Sequence, residues 1–348
     1  MKKTILLLIS FQLVAISFLF AQTIRRCNNN PGVMGVNIYT TIQAAHDAAA
    51  AGDIIYVEPT TTNYGSLTMT KQLTIIGNGY TPSNPVTVVP IDSRSSAIAD
   101  IVFNNGSQNS LLTGIYVNSN GVGNIKINVP NITITRCKIQ GGIVFGMTVS
   151  GTPQTTYYGN SALITKCILA GGANLDIPAN ASGPGFYCSF LNNISGGLGG
   201  FINSTFTNNS IFGQLTNLTT CTVTNNIIAL SCCTAVTGNG NAIANNIGTF
   251  GTTLPASNGN VNDATLSTIF INSAANNLGY VDSDYRLSAS SPAKEIGSGG
   301  IDAGAFGGAN PYVLSGLPSY PIITNFTTSG VGNNNAPLNV SITVRGNN

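Results

Sequence analysis

Short stretches in which apolar and small polar residues alternate recur along most of the chain. They can be laid side by side: NITITRCKIQGG from Asn131, SALITKCILAGG from Ser161, GPGFYCSFLNN from Gly183, FINSTFTNNSI from Phe201, LTTCTVTNNII from Leu218 and GNAIANNIGT from Gly240. Alternation with a period of two marks a strand with one buried face, and each unit turns at Gly or Asn. The units recur roughly every 15 to 25 residues, the spacing of a solenoid coil. No single unit buries its apolar face alone, so the pattern predicts an all-β solenoid of short stacked strands.

The register within the repeat suggests which side chains face inward. Cys137, Cys167 and Cys188 line up, followed two residues later by Ile139, Leu169 and Phe190. Residues two apart share one side of a strand, so thiol and apolar side chain are expected inside. Coils stack about 4.8 Å apart, placing like residues above like. The pairs Asn192-Asn193, Asn208-Asn209, Asn225-Asn226 and Asn245-Asn246 fall at corresponding turns, where Asn tolerates a left-handed backbone. Arg136, Lys166 and Tyr187 each precede an aligned cysteine and are expected to point outward on three successive coils, with Lys138 on the same outer side.

The segment YTTIQAAHDAAAAGDIIYVEPTTTNYGSLTMTKQLTIIGNGY, from Tyr39 to Tyr80, resembles the opening of pectate-lyase-like right-handed parallel β-helix proteins. In that superfamily a short Ala-rich helix covers the first coil. Here Thr41 is the expected N-cap, Ile42, Ala45 and Ala49 form an apolar stripe, and Gly52 ends the helix. Strands are expected at 54–57, 67–69 and 73–76. DSDYRLSASSPAKEIGSGGIDAGAFGG, from Asp282 to Gly308, is similar to the closing segment of such proteins. The resemblance implies the fold but no single activity, since the superfamily holds lyases, hydrolases, epimerases and proteins without known chemistry. The expected organisation is a signal peptide at 1–21, a lead-in at 22–38, the β-helix at 39–310 and a terminal hairpin or tail at 311–348. The hairpin is expected to cover the last coil. With both ends capped, a monomer is expected.

Lys2 and Lys3 precede an apolar run from Ile5 to Phe20 and then Ala21-Gln22, the layout of a cleaved signal peptide. No second segment is long enough to span a bilayer, so the mature protein is expected to be exported, secreted or at the cell surface, with no membrane span. Without Lys2 and Lys3, the 13 basic residues fall to 11, against 11 acidic ones. A neutral chain without basic blocks has no electrostatic footprint for nucleic acid. Only 7% of residues are charged while 43% are hydrophobic, with 40 Gly. That balance suits many short strands and tight turns. The 7 cysteines read as buried free thiols rather than a disulfide framework. Cys232 and Cys233, being adjacent, are not expected to bridge.

Catalysis is hard to assemble from these residues. A hydrolase in this fold needs carboxylates close together, and a lyase needs a base with a neutralised substrate carboxylate. Between Ile101 and Asn262 the only acidic residue is Asp176. Asp282 and Asp284 could share a Ca²⁺, but their place in the closing motif favours turn formation. His46, the only histidine, falls on the helix and reads as a packed residue. The reading is therefore no catalytic residue, no metal and no obligate cofactor. Arg136, Lys138, Lys166 and Tyr187 remain as an outer strip for a ligand, with an acidic sugar of a polysaccharide or another cell-surface component as partner. A polysaccharide lyase using Arg136 or Lys166 as base is the alternative, and a purely structural surface protein is the third.

Overall fold

In the computed structural model, residues 22–81, 92–149, 155–157, 159–175, 187–230, 232–279, 281–332 and 337–346 are described. The expected signal peptide and Asp176 lie outside them. Among the described residues, short strands build three long sheets of 11, 8 and 9 strands, here called A, B and C. Neighbours within each sheet pair in parallel. A typical coil places Ile125–Ile127 in B, Thr133–Thr135 in A and Lys138–Ile139 in C, and then returns to B at Ile143–Phe145. This is a solenoid-like stack of parallel sheets with few helices.

Alternation fills the interior. Ile125, Ile127, Ile134, Ile139 and Phe145 are fully buried, and their polar neighbours in sequence point out. In-register pairing puts like above like: Phe190 lies over Phe206 with ring centroids 5.1 Å apart and planes 7° from parallel. Phe201 meets Phe190 edge-on at 4.9 Å. Such pairs add about 0.5–1.5 kcal/mol beyond the area they bury.

From Thr133–Thr135 onward, the turn that follows each sheet A strand is left-handed. Arg136, Lys166, Asn192, Asn208, Asn225 and Asn245 occupy it with φ between 55° and 58°. The next residue is interior, and there the stack becomes a polar ladder. The N–H of Asn193 donates to Asn209 Oδ1 at 2.9 Å, that of Asn209 to Asn226 Oδ1 at 2.8 Å, and that of Asn226 to Asn246 Oδ1 at 2.9 Å. Each Nδ2 donates to a backbone carbonyl, as Asn226 does to Phe206 at 2.9 Å. Buried amides are tolerated because both of their ends are satisfied. Cys137 and Cys167 belong to this column: the N–H of Cys167 donates to Asn193 Oδ1 at 2.9 Å.

Cys188 does not. It sits in the turn before a sheet A strand, where its N–H donates to Ser204 Oγ at 3.0 Å and that of Ser204 to Cys221 Sγ at 3.4 Å. The expected alignment of Cys188 with Cys137 and Cys167 is corrected accordingly. A period of two cannot tell the turn that enters a strand from the turn that leaves it. The other corrected cysteine reading is Cys232–Cys233, which forms a vicinal disulfide. The pair lies in an exposed turn rather than a strand, where successive side chains would point to opposite faces. The remaining five cysteines are free and buried.

A helix, α1 (Ile42–Ala48), stands at the first coils, N-capped by Thr41, whose hydroxyl accepts from the Ala44 N–H at 3.2 Å. Ile42 and Ala45 enter the solenoid core. Its polar side chains close the edge of sheet B: Gln43 Oε1 accepts from Thr68 N–H at 2.9 Å and His46 Nε2 from Thr70 N–H at 3.1 Å. His46 is thus a buried structural residue.

After the last coil the chain does not stop at that end. It runs back along the outside of sheet C. Outward-facing Ile168, Ile194, Ile227 and Ile247 form a second core with Phe270, Tyr285, Ala303, Ala305 and Tyr312 from the closing segment. The Asn column staples this return: Asn192 Nδ2 donates to Ala305 O at 3.0 Å and to Gly307 O at 2.8 Å, and Asn225 Oδ1 accepts from Ser298 N–H at 3.0 Å. Asp282, fully internal, accepts from the hydroxyls of Tyr80 at 2.8 Å and Tyr312 at 3.4 Å. That carboxylate is committed to holding the return against the third coil, which explains its place in the closing motif without an ion.

The terminal strands Ile322–Thr328 and Val340–Arg345 pair antiparallel as a ribbon. They do not cover the last coil: Ile322, Ile323 and Phe326 lie beside Ile24 and Tyr56 of the first coils. The return segment carries the chain back before the ribbon begins, so its place is set by the closing segment and not by its distance along the sequence.

Candidate functional site

The four residues of the expected outer strip are not one surface. Arg136 is only 6% exposed, and its Nη1 donates to Leu317 O at 2.7 Å. Burial pulls its pKa down from the ordinary arginine value. Lys166 neighbours it on the next coil, since Thr135 pairs with Thr165. Its pKa is lowered by burial and then by the Arg136 charge. Lys138 faces out from sheet C, with Nζ 5.8 Å from the centroid of the Tyr116 ring. Burial lowers its pKa, and the nearby Asp282 charge opposes that shift. The return segment covers Arg136 and brings Asp282 near Lys138. Tyr187 is elsewhere: 59% exposed, in the turn before Ser189–Leu191, at the opposite end of sheet A's strands. The expected stacking of an aromatic ring beside the two cations is therefore not present.

A different concavity carries better geometry. A groove of about 610 Å³ lies between the outer face of sheet A's first strands and the segment from Pro318 to Phe326. The floor follows from strand register. Arg26 pairs with Tyr56, and Tyr56 with Ile76, so these three form one outward column across neighbouring strands. The wall follows from a turn at Ser315-Gly316, both with positive φ. A Cβ on Gly316 would stand 2.3 Å from Arg136 O and 2.5 Å from the Tyr80 ring, so only glycine fits this approach. From there Pro318 and Pro321 bring Tyr320 over the floor, where its ring meets that of Tyr56 at 6.5 Å and 79°.

Charges frame the groove in fixed pairs. Arg26 Nε donates to Glu58 Oε1 at 2.6 Å. Arg94 holds Asp92 with Nη2 at 2.6 Å and Nε at 3.0 Å, and its Nη1 reaches Asn30 Oδ1 at 2.6 Å. The Arg94 hydrogen bonds keep the Asp92 carboxyl below the usual carboxylate range. It is an acceptor at neutral pH and no proton donor. The arrangement offers aromatic faces, aliphatic walls and carboxylate acceptors. Among the described residues, no three His, Cys, Asp or Glu side chains gather where a metal ion could be held.

The sequence held a signal for this site. In IIYVE, Tyr56 occupies the outward phase of a strand whose inward phase is Ile55 and Val57. What could not be read was that Tyr320, 264 positions on, closes over it. The apolar pairs Ile168-Leu169 and Ile227-Ile228, buried on both faces, were the corresponding signal for the covered side of sheet C. No family model matches the chain, and no curated protein or solved structure is significantly similar to it.

Proposed function

We propose that this chain is an exported, non-catalytic protein of the pectate-lyase-like right-handed parallel β-helix kind, and that it binds glycan in the groove between Tyr56 and Tyr320. The observation that carries the reading is the pair of tyrosine rings set beside two carboxylates in one open concavity. Pyranose rings pack their C–H faces on aromatic rings, and sugar hydroxyls donate to carboxylates. The signal-like amino terminus supports export and a secreted or cell-surface location.

The lyase alternative needs Arg136 or Lys166 as a base beside a bound uronate. Arg136 is buried and donates to Leu317 O, which argues against that role. The test is a glycan-array screen of residues 22–348, run beside an absorbance assay for unsaturated uronate products. Binding without product is expected. Product formation overturns the reading in favour of a lyase, and silence in both assays leaves a structural surface protein.

A further inference from the structure

We infer that the groove selects uncharged hexose oligosaccharides over uronates, a specificity that rests on the glycan-binding reading above. Among the described residues, the lining contains one cation, Arg26, and two carboxylates, Glu58 and Asp92. Arg26 is already engaged by Glu58 at 2.6 Å. Asp92 faces the groove while Arg94 holds it from outside the lining. Counting Arg94, each of the two carboxylates is balanced by an arginine, so a uronate entering here meets no surplus positive charge, and removing its carboxylate from water beside two existing ion pairs is costly.

A neutral sugar meets the opposite situation. Its hydroxyls supply the donors that acceptor-only carboxylates need, and hydrogen bonds to an ionised acceptor are the stronger kind. The two tyrosine rings, 79° apart, present a face and an edge for the apolar side of a pyranose. The size agrees: about 610 Å³ falls within the roughly 300–1,000 Å³ of small-molecule sites. The groove therefore holds a short segment of a glycan at a time. This inverts the preference for acidic sugars that the basic strip suggested, because Arg136 and Lys138 of that strip face the return segment instead.

The test is calorimetric titration of the full chain with cellohexaose, laminarihexaose and mannohexaose, beside hexagalacturonate. At least one neutral hexasaccharide is expected to bind, and Tyr320→Ala to weaken it by about threefold to tenfold. Glu58→Gln, which releases Arg26, and Asp92→Asn are expected to weaken the neutral sugar and raise hexagalacturonate affinity. Tyr187→Ala is expected to change nothing. Tighter binding of hexagalacturonate by the unmodified chain, lost in Tyr320→Ala, overturns the neutral specificity while leaving glycan binding in the groove intact. Binding that ignores both Tyr320→Ala and Glu58→Gln moves the site elsewhere and overturns the groove. No binding of any hexasaccharide overturns both proposals.

Discussion

The early and late coils use the same left-handed turn with different side chains. In the late coils Asn208-Asn209 and Asn225-Asn226 fill it, whereas in the earlier ones it is Arg136-Cys137 and Lys166-Cys167. The outer member does the same job in both. Arg136 reaches Leu317 O, as Asn192 reaches Ala305 O and Gly307 O. The inner member also does the same job, with the Cys167 thiol donating to Ile134 O at 3.6 Å where Asn193 donates to Ile164 O at 2.9 Å. A residue that looks like candidate chemistry in the sequence is, at this position, a staple. The backbone site fixes the role and the side chain only varies its strength.

The largest effect is expected where the ladder is deepest. Asn226→Leu strands the Asn209 N–H, removes one of the acceptors of Asn209 Nδ2, which keeps Phe190 O, and takes a donor from Phe206 O. Leaving buried polar groups unpaired costs about 1–3 kcal/mol each. Urea unfolding followed by circular dichroism should show a loss of about 2–3 kcal/mol, and a loss below about 1 would separate the ladder from the stability of the stack.

Arg136 sharpens the comparison from the outside. Arg136→Ala removes the donor to Leu317 O, with an expected loss of about 1–2 kcal/mol. Arg136→Asn suits the left-handed φ of 55° better and should lie closer to the unmodified chain. Glycan affinity should be unchanged in both. If Arg136→Asn abolishes binding while the protein stays folded, the residue is a ligand and not a staple.

Cys167→Asn converts an early rung into a late one. Asn would offer an Oδ1 to the Cys137 N–H, now 3.5 Å from the Cys167 thiol, and an Nδ2 to Ile134 O. A gain of up to about 1 kcal/mol is expected in the same unfolding assay. A clear loss would mean that the early coils are packed for sulfur.

The smallest effect concerns pH. The Asp92 pKa is held down by Arg94, so the carboxylate stays ionised until the pH drops through that lowered value. Whatever the pair adds is present above the ordinary Asp value, near 3.9, and is lost only below it. Neutral-sugar affinity should therefore be flat from about pH 8 to about pH 5. A fall within that range would point to another titrating group.

The sequence alone determined the repeating strand, its inward face and the positions of the turns. Period-two alternation and Asn or Gly at left-handed positions are local constraints, each expressed within one coil. It also placed α1 and the two strands of the terminal ribbon. It did not place Tyr187 relative to Arg136, because TRCKI and FYCSF share a pattern while belonging to opposite ends of a strand. The tertiary structure decided which outer faces stay open. The return from Phe270 to Leu317 buries sheet C and leaves sheet A's first strands beneath Tyr320. Contacts between residues such as Tyr80 and Asp282, 202 positions apart, depend on how many coils lie between them. No local pattern encodes that count, so the site could be seen only once the coils were stacked.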